Sequence, residues 1–250
     1  MRKSALCLPL LLALIAGCQG EDSLSPTGVA RTNRAVDPDR VGQETFVDYA
    51  KPPTAGGGLT VTTEAGDFKL FYGGARWFSG DQVEYTIEGS QPISQANSAV
   101  TAGVATIDGF ITARSFALKN NTTQMNPCTG LPNTIEWVSI DGPGRILGST
   151  SFCYYLATKE IVGFTVKLDK DEPWSTGSTA TTFDVQNIAT HEFGHVAGLA
   201  HVSAPKDVCL TMYPYASLGE TQKRTLGLGD KLGMQTLYGS TDVSAGACGS

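Results

Sequence analysis

The stretch HEFGHVAGLAH at residues 191–201 constrains this chain more than any other, because all three of the protein's histidines lie inside it. On an α-helix, residues four apart project from one face, so His191 and His195 can aim two imidazole nitrogens at a single point. Glu192 sits one position on and projects beside that point rather than onto it. Gly198 lets the helix stop and the chain turn, after which His201 can return as a third ligand. Imidazole nitrogens suit zinc, and three protein ligands leave one coordination position for water or substrate, the pattern of a catalytic centre. Glu192 is then the general base; a zinc held only for structure would leave it without a purpose.

A chain of 250 residues is enough for one domain with a sizeable core. It is rich in Gly, Thr and Ser and only 17% charged, which favours strands, turns and loops over helices. The net charge is -6 and no basic stripe occurs, so nucleic acid is excluded as a partner. The first residues, MRKSALCLPLLLALIAGCQG, read as an export signal: Arg2 and Lys3, then an apolar run too short to span a bilayer. Its end, Ile15-Ala16-Gly17-Cys18, resembles the lipobox of bacterial lipoproteins. That resemblance implies a signal peptide over residues 1–17 and a lipid on Cys18, the chain's one expected link to a membrane. The expected location is the bacterial cell envelope, at the outer membrane or cell surface; an ordinary secretory signal would make the protein secreted instead. Loss of Arg2 and Lys3 takes the charge from -6 to about -8.

Cys128, Cys153, Cys209 and Cys248 remain for the mature chain, and an oxidising compartment favours two disulfides, with three pairings open. Residues 18–64, rich in Pro, Gly and Thr, show little sign of a core and read as a tether or a short pro-segment. No cysteine lies between Cys18 and Cys128, which excludes a thiolate switch there. The folded domain is expected over residues 65–250. QVEYTIEG alternates like a strand, and a helix follows with Ser94 as N-cap and Ala96, Val100, Val104 and Ile107 at helical spacing. ARSFALK, TIEWVSI, LGSTSFCYYLA and EIVGFTVKL read as strands. A second helix carries the histidines, capped by Asp184, and a last short helix stops at Gly239.

The extended H-E-x-x-H-x-x-G-x-x-H resembles the metzincin zinc-peptidase signature. CLTMYP, with Met212 followed by Tyr213 and Pro214, resembles the Met-turn of the matrixin branch, as do DGPGRILGSTSF, LDKDEPW and GDKLGMQTLYG. The resemblance runs from about residue 82 to 239. It implies an α+β fold, a twisted five-stranded mixed sheet on two long helices, with a short C-terminal helix after the Met-turn. It also implies a zinc endopeptidase acting as a monomer on protein or peptide substrates. An extended substrate would pair with the edge strand at Leu147, Gly148 and Ser149, against a wall of Tyr213, Pro214 and Tyr215. Calcium is implied at Asp141, Gly142, Gly144, Ile146, Asp169 and Glu172, a set of hard oxygen donors. Ser149 and Lys167 stand where matrixins place histidines for a second zinc, which argues against one here. Competing classes are a surface lipoprotein that binds without catalysis, as an adhesin, and a zinc amidohydrolase acting on a non-protein amide. An intact Glu192 with all three ligands speaks against the binder.

Overall fold

The structure is a computed structural model that describes residues 40–51 and 65–246. In chain order the elements are β1 (Val41–Ala50), β2 (Lys69–Leu70), β3 (Val83–Glu88), α1 (Ala96–Asp108), β4 (Phe116–Leu118), β5 (Thr134–Val138), β6 (Ile146–Tyr155) and β7 (Ile161–Asp169). Then come β8 (Trp174–Ser175), β9 (Phe183–Asp184), α2 (Val185–Val196), β10 (Leu199–Ala200), β11 (Tyr215–Ala216) and α3 (Leu228–Tyr238). The fold is α+β, as expected. Strands β4, β3, β5 and β7 run parallel and β6 antiparallel beside β7, which makes the five-stranded mixed sheet.

Two strands extend that sheet beyond the expectation, giving the order β11-β1-β6-β7-β5-β3-β4. Strand β1 falls inside the stretch read as tether or pro-segment. It pairs antiparallel with β6 over Val41↔Tyr155 to Tyr49↔Ile146, and parallel with β11 at Tyr49↔Tyr215. Its sequence VGQETFVDYA lacks the apolar alternation of a core strand because its burial is mixed along its length. What holds it is main-chain pairing on both sides, which composition does not reveal.

Side-chain period explains the rest. Helix α1 buries Ala96, Val100, Val104 and Ile107 against α2, and its N-cap is Gln95 in left-handed backbone rather than Ser94. The Gln91 side chain accepts from Asn97 N at 3.1 Å, doing part of the capping work. Helix α2 begins as expected: Asp184 accepts from Asn187 N at 2.9 Å and is also paired with Arg224. Almost every residue of α2 is buried, with Val185, Ile188, Phe193 and Val196 in the core. Phe193 meets Phe116 and Phe164 edge to face, locking the helix to the sheet. Helix α3 stops at Gly239, whose left-handed backbone sends its N–H to Gln235 O.

One disulfide joins Cys128 to Cys153, with Cα atoms 5.7 Å apart, stapling the loop before β5 to β6. Cys209 is also disulfide-bonded. Cys18, Cys248 and the proposed signal peptide lie outside the described residues. Among the described residues no helix is long and apolar enough to cross a membrane.

Candidate metal centre

Helix α2 carries His191 and His195 to the inner surface of the sheet, both fully buried. The chain then reverses at Gly198, whose φ is +95°. A Cβ there would lie 2.1 Å from Ala75 O, so both backbone and space demand glycine. The last-turn carbonyls of the helix are satisfied by side chains: Trp77 Nε1 donates to Val196 O at 2.9 Å and Tyr238 Oη to Ala197 O at 2.8 Å. Beyond the turn, β10 pairs with β2 and delivers His201.

The three rings converge. His201 Nε2 lies 3.1 Å from His191 Nε2 and 3.0 Å from His195 Nε2. Among the described residues, this triad is the group of His, Cys, Asp or Glu whose donor atoms all fall within 4.8 Å of one another. A carbonyl can only accept, so Nδ1–H of His191 donates to Thr211 O (2.5 Å) and Nδ1–H of His195 to Leu199 O (2.9 Å). Both Nε2 atoms are therefore bare lone pairs aimed at a shared point. Lone pairs this close repel unless a cation lies between them. Nitrogens about 2.0–2.1 Å from one tetrahedral zinc would stand roughly 3.3 Å apart, close to the observed spacing. Burial drives all three imidazoles toward the neutral form, with Lys223 adding to the effect: His191 and His195 well below the usual value, His201 down to about 4. Neutral imidazole is the form that ligates. The donor set fits zinc.

Met212 is buried under the helix between the two ligands. A Cβ on Gly194 would lie 2.3 Å from Met212 Sδ, so the glycine is what lets the sulfur pack there. Thr211 and Met212 are held in turn by Asp230 of α3, which accepts from Thr211 N (2.6 Å), Met212 N (3.2 Å) and Gly227 N (3.0 Å). The wall that follows is tied down by Lys223, a fully buried cation donating to Tyr213 O (2.6 Å) and Tyr215 O (2.9 Å) on either side of Pro214. Beside Tyr213 and Tyr215 opens a pocket of about 350 Å³, also lined by Val208, Leu218 and Gln222.

Glu192 is fully buried, with Oε2 accepting from Thr150 Oγ1 at 2.6 Å and Oε1 without a hydrogen-bond partner. Burial pushes its carboxyl well above the usual range, reinforced by nearby Asp48 and opposed by the Thr150 hydroxyl. Gly148 of β6 leaves room for it: a Cβ there would lie 2.5 Å from Glu192 Oε1. Leu147 is buried behind the strand, and Ser149 faces Lys167 across β6 and β7. The expected free edge at these residues is covered, because Val47 pairs with Ser149 and Asp48 with Gly148. Asp48 is itself fully buried, its Oδ1 3.9 Å from His191 Nε2. Burial pushes its carboxyl up to about 7, with Lys223 pulling the other way.

The acidic turn lies apart from the histidines. Asp169 Oδ2 accepts from Asp141 N (3.1 Å), Asp141 Oδ1 from Ile146 N (3.2 Å) and Glu172 Oε1 from Gly144 N (2.6 Å), which gathers all three carboxylates about the turn through Gly142. Glu172 Oε2 is buried without a partner, and burial pushes its carboxyl up against the pull of the Gly144 and Arg145 N–H groups.

Sequence reasoning missed Thr150, Asp230, Lys223, Asp48 and the Phe46 ring that lies flat on His195 at 4.2 Å. Only Asp230 had a readable signal, as an acid in the first turn of a helix.

A helix bearing two histidines, a glycine reversal to a third and a methionine floor together form a group that could hold one metal ion. Residues 132–239, less than half of the chain, match the family model described as Matrixin. It is 38% identical to mouse (Mus musculus) matrilysin over 103 residues, 41% of this chain and 36% of that one. It is 32% identical to human (Homo sapiens) matrix metalloproteinase-25 over 114 residues, 45% of this chain and 17% of that one. The chain thus spans about a third or less of the length of these curated relatives. Among solved structures, myroilysin is 14% identical with a TM-score of 0.39, covering 66% of this chain and 82% of its own. The zinc-protease hatching enzyme of medaka (Oryzias latipes) is 12% identical with a TM-score of 0.36, covering 70% and 99%.

Proposed function

We propose that this chain is a zinc-dependent metalloendopeptidase that cleaves extended polypeptides outside the cytoplasm. The observation that carries the reading is the convergence of three Nε2 atoms, those of His191 and His195 bare buried lone pairs, beside a Glu192 carboxylate with one oxygen free. His191, His195 and His201 would hold the zinc, which when bound supplies Lewis-acid polarisation of a peptide carbonyl and acidification of water. Thr150 fixes Oε2 of Glu192, so Oε1 is the atom placed to take a proton from water and pass it to the departing amine. The slot between β6 and the Tyr213-Pro214-Tyr215 wall, filled in this structure by β1, would offer main-chain partners to an extended substrate in place of that strand, and the pocket beside Tyr215 would receive one of its side chains. A lipid at Cys18, after removal of residues 1–17, would place residues 65–250 at the envelope as the catalytic domain; support for this comes from the IAGC sequence.

The test is breakdown of an unstructured protein such as casein by the full chain, followed over hours beside its zinc content. One zinc per chain is expected, with cleavage that stops on chelation and returns with added zinc. Casein cleavage that survives complete metal removal, or a chain that takes up no zinc, would overturn the reading.

The same reading assigns calcium to Asp141, Asp169 and Glu172 with main-chain oxygens of Gly142, Gly144 and Ile146, supported by the buried, unpartnered Glu172 Oε2. A ligand at 100 times its Kd stabilises by about 2.7 kcal/mol, roughly 5–11 °C in Tm for a domain of this size. Thermal melts of the zinc-loaded chain should therefore rise with calcium but not with magnesium, and Glu172→Gln should abolish the rise. Superimposable melts with and without calcium would remove it from the proposal.

A further inference from the structure

We propose that Lys223 is the positioning residue of the substrate wall: from beneath, it fixes which carbonyls of residues 213–216 face an extended substrate and holds the pocket beside them in shape. The proposal rests on the reading of the site as a zinc peptidase. Lysine is almost never fully buried unless paired, and burying an ammonium is costly. Lys223 is nevertheless fully buried. Glu220 Oε1 stands 3.9 Å from its Nζ, beyond hydrogen-bond range, and already accepts from Asn187 Nδ2 at 3.2 Å. The ammonium donates instead to two main-chain oxygens of the wall, Tyr213 O and Tyr215 O. A neutral side chain could satisfy those carbonyls; a charged donor holds them roughly twice as strongly.

Alternation along an extended chain gives that hold its consequence. Carbonyls two residues apart lie on one edge of the strand, and those between them on the other. Drawing Tyr213 O and Tyr215 O toward the interior therefore turns Pro214 O and Ala216 O toward the slot. There they accept from Tyr49 N at 3.1 Å and Lys51 N at 2.8 Å, so both are within reach of an extended chain. Pro214 has a fixed φ and no N–H, so at that point the wall offers an acceptor alone. The same lysine closes the pocket of about 350 Å³: the chain leaves the wall at Ala216, lines the pocket with Ser217, Leu218, Gly219 and Gln222, and returns at Lys223. Glu220 braces this loop by accepting from Ser217 N at 3.1 Å. Lys223 N donates to Asn187 Oδ1 at 2.7 Å, and Asn187 lies one helical turn before His191 on α2. One residue thus ties the wall, the pocket loop and the histidine-bearing helix to a common frame.

The experiment compares the full zinc-loaded chain with Lys223→Met and Lys223→Arg on a fluorogenic peptide and on copies methylated at one amide nitrogen at a time, the cleaved bond excepted. In wild type, methylating the N–H that meets Pro214 O should lower kcat/KM about tenfold, the scale of one hydrogen bond. In Lys223→Met that penalty should shrink to about threefold or less, carried mainly by KM, while penalties at amides bonded to β6 persist. Selectivity among peptides that differ in the pocket-bound side chain should flatten in the same variant. Lys223→Arg, which keeps a cation under the wall, should restore both patterns in part. A uniform loss on every peptide, with the methylation pattern and the selectivity intact, would make Lys223 a residue of the fold only and overturn the proposal. If Lys223→Met does not fold, the comparison passes to Lys223→Gln, a neutral donor, where a weakened penalty is expected and an unchanged pattern overturns the proposal equally. A wild-type chain that takes up no zinc, or takes it up and cleaves no peptide, would overturn the zinc-peptidase reading itself, and the proposal with it.

Discussion

Replacing Asp230 by alanine should destabilise the protein by about 3–5 kcal/mol, roughly 6–20 °C in Tm, and loosen the metal centre from behind. Asp230 is buried and takes three backbone N–H groups, from Thr211, Met212 and Gly227. Alanine leaves those donors buried and unpaired. The damage reaches the metal because Thr211 O is the acceptor that orients His191. Loss of such an orienting partner weakens metal binding roughly 10–100-fold. Zinc competition with a chromophoric chelator reads this directly; unchanged affinity in a variant that still folds would show that the turn orients nothing.

The pH dependence of the same residue carries a definite sign. Burial pushes the Asp230 carboxyl up to about 6, while the three N–H groups pull it down. The folded value lies above the unfolded one. Its contribution to stability is therefore fully present below pH 4 and declines as pH rises through about 6. At 1.36 kcal/mol per unit, wild type should lose about 3 kcal/mol relative to Asp230→Asn between pH 4 and pH 7, as read from denaturant melts. A flat difference across that range would mean the carboxyl is not perturbed as stated.

What could be read in advance divides by the range of the interaction. Val100, Val104 and Ile107 announce a helix through a 3.6-residue period, and Asp184 and Gly239 announce helix ends through side-chain and backbone chemistry confined to a few positions. The converging histidines are legible for the same reason, since two of them lie one helical turn apart. Thr150 and Asp230 act across 42 and 18–19 residues; Asp230 is marked only as an acid in the first turn of its helix, and nothing around Thr150 marks its contact. Thr150 reads as one more strand threonine. Strand β1 is the extreme case. Its fold-defining partners are main-chain groups of β6 and β11, and the carboxylate of Asp48 reads as solvated until the structure buries it. The expected five-stranded sheet and the observed seven-stranded one differ only by this strand and by β11, which joins the sheet through it.

Glu192→Ala should leave the zinc content unchanged and reduce kcat/KM on peptide substrates by about 10²–10⁴, the span that a positioned general base commands. Retention of metal follows because the carboxylate stands beside the Nε2 cluster and is anchored to Thr150, not aimed among the ligands. Glu192→Gln makes the stricter case: its amide oxygen can still accept from Thr150, so packing survives while proton transfer does not. Thr150→Val then separates anchoring from chemistry. The hydroxyl bond favours the ionised carboxylate, so its removal should raise the already elevated pKa further and move the acid limb of kcat/KM to higher pH. An alkaline shift in Thr150→Val with a maximal rate little changed, set against a collapsed rate in Glu192→Gln, would identify Glu192 as the titrating base. If Glu192→Gln turns over peptides as fast as wild type, the proton must travel by another group, and a zinc centre with this glutamate merely packed against it would be the better description.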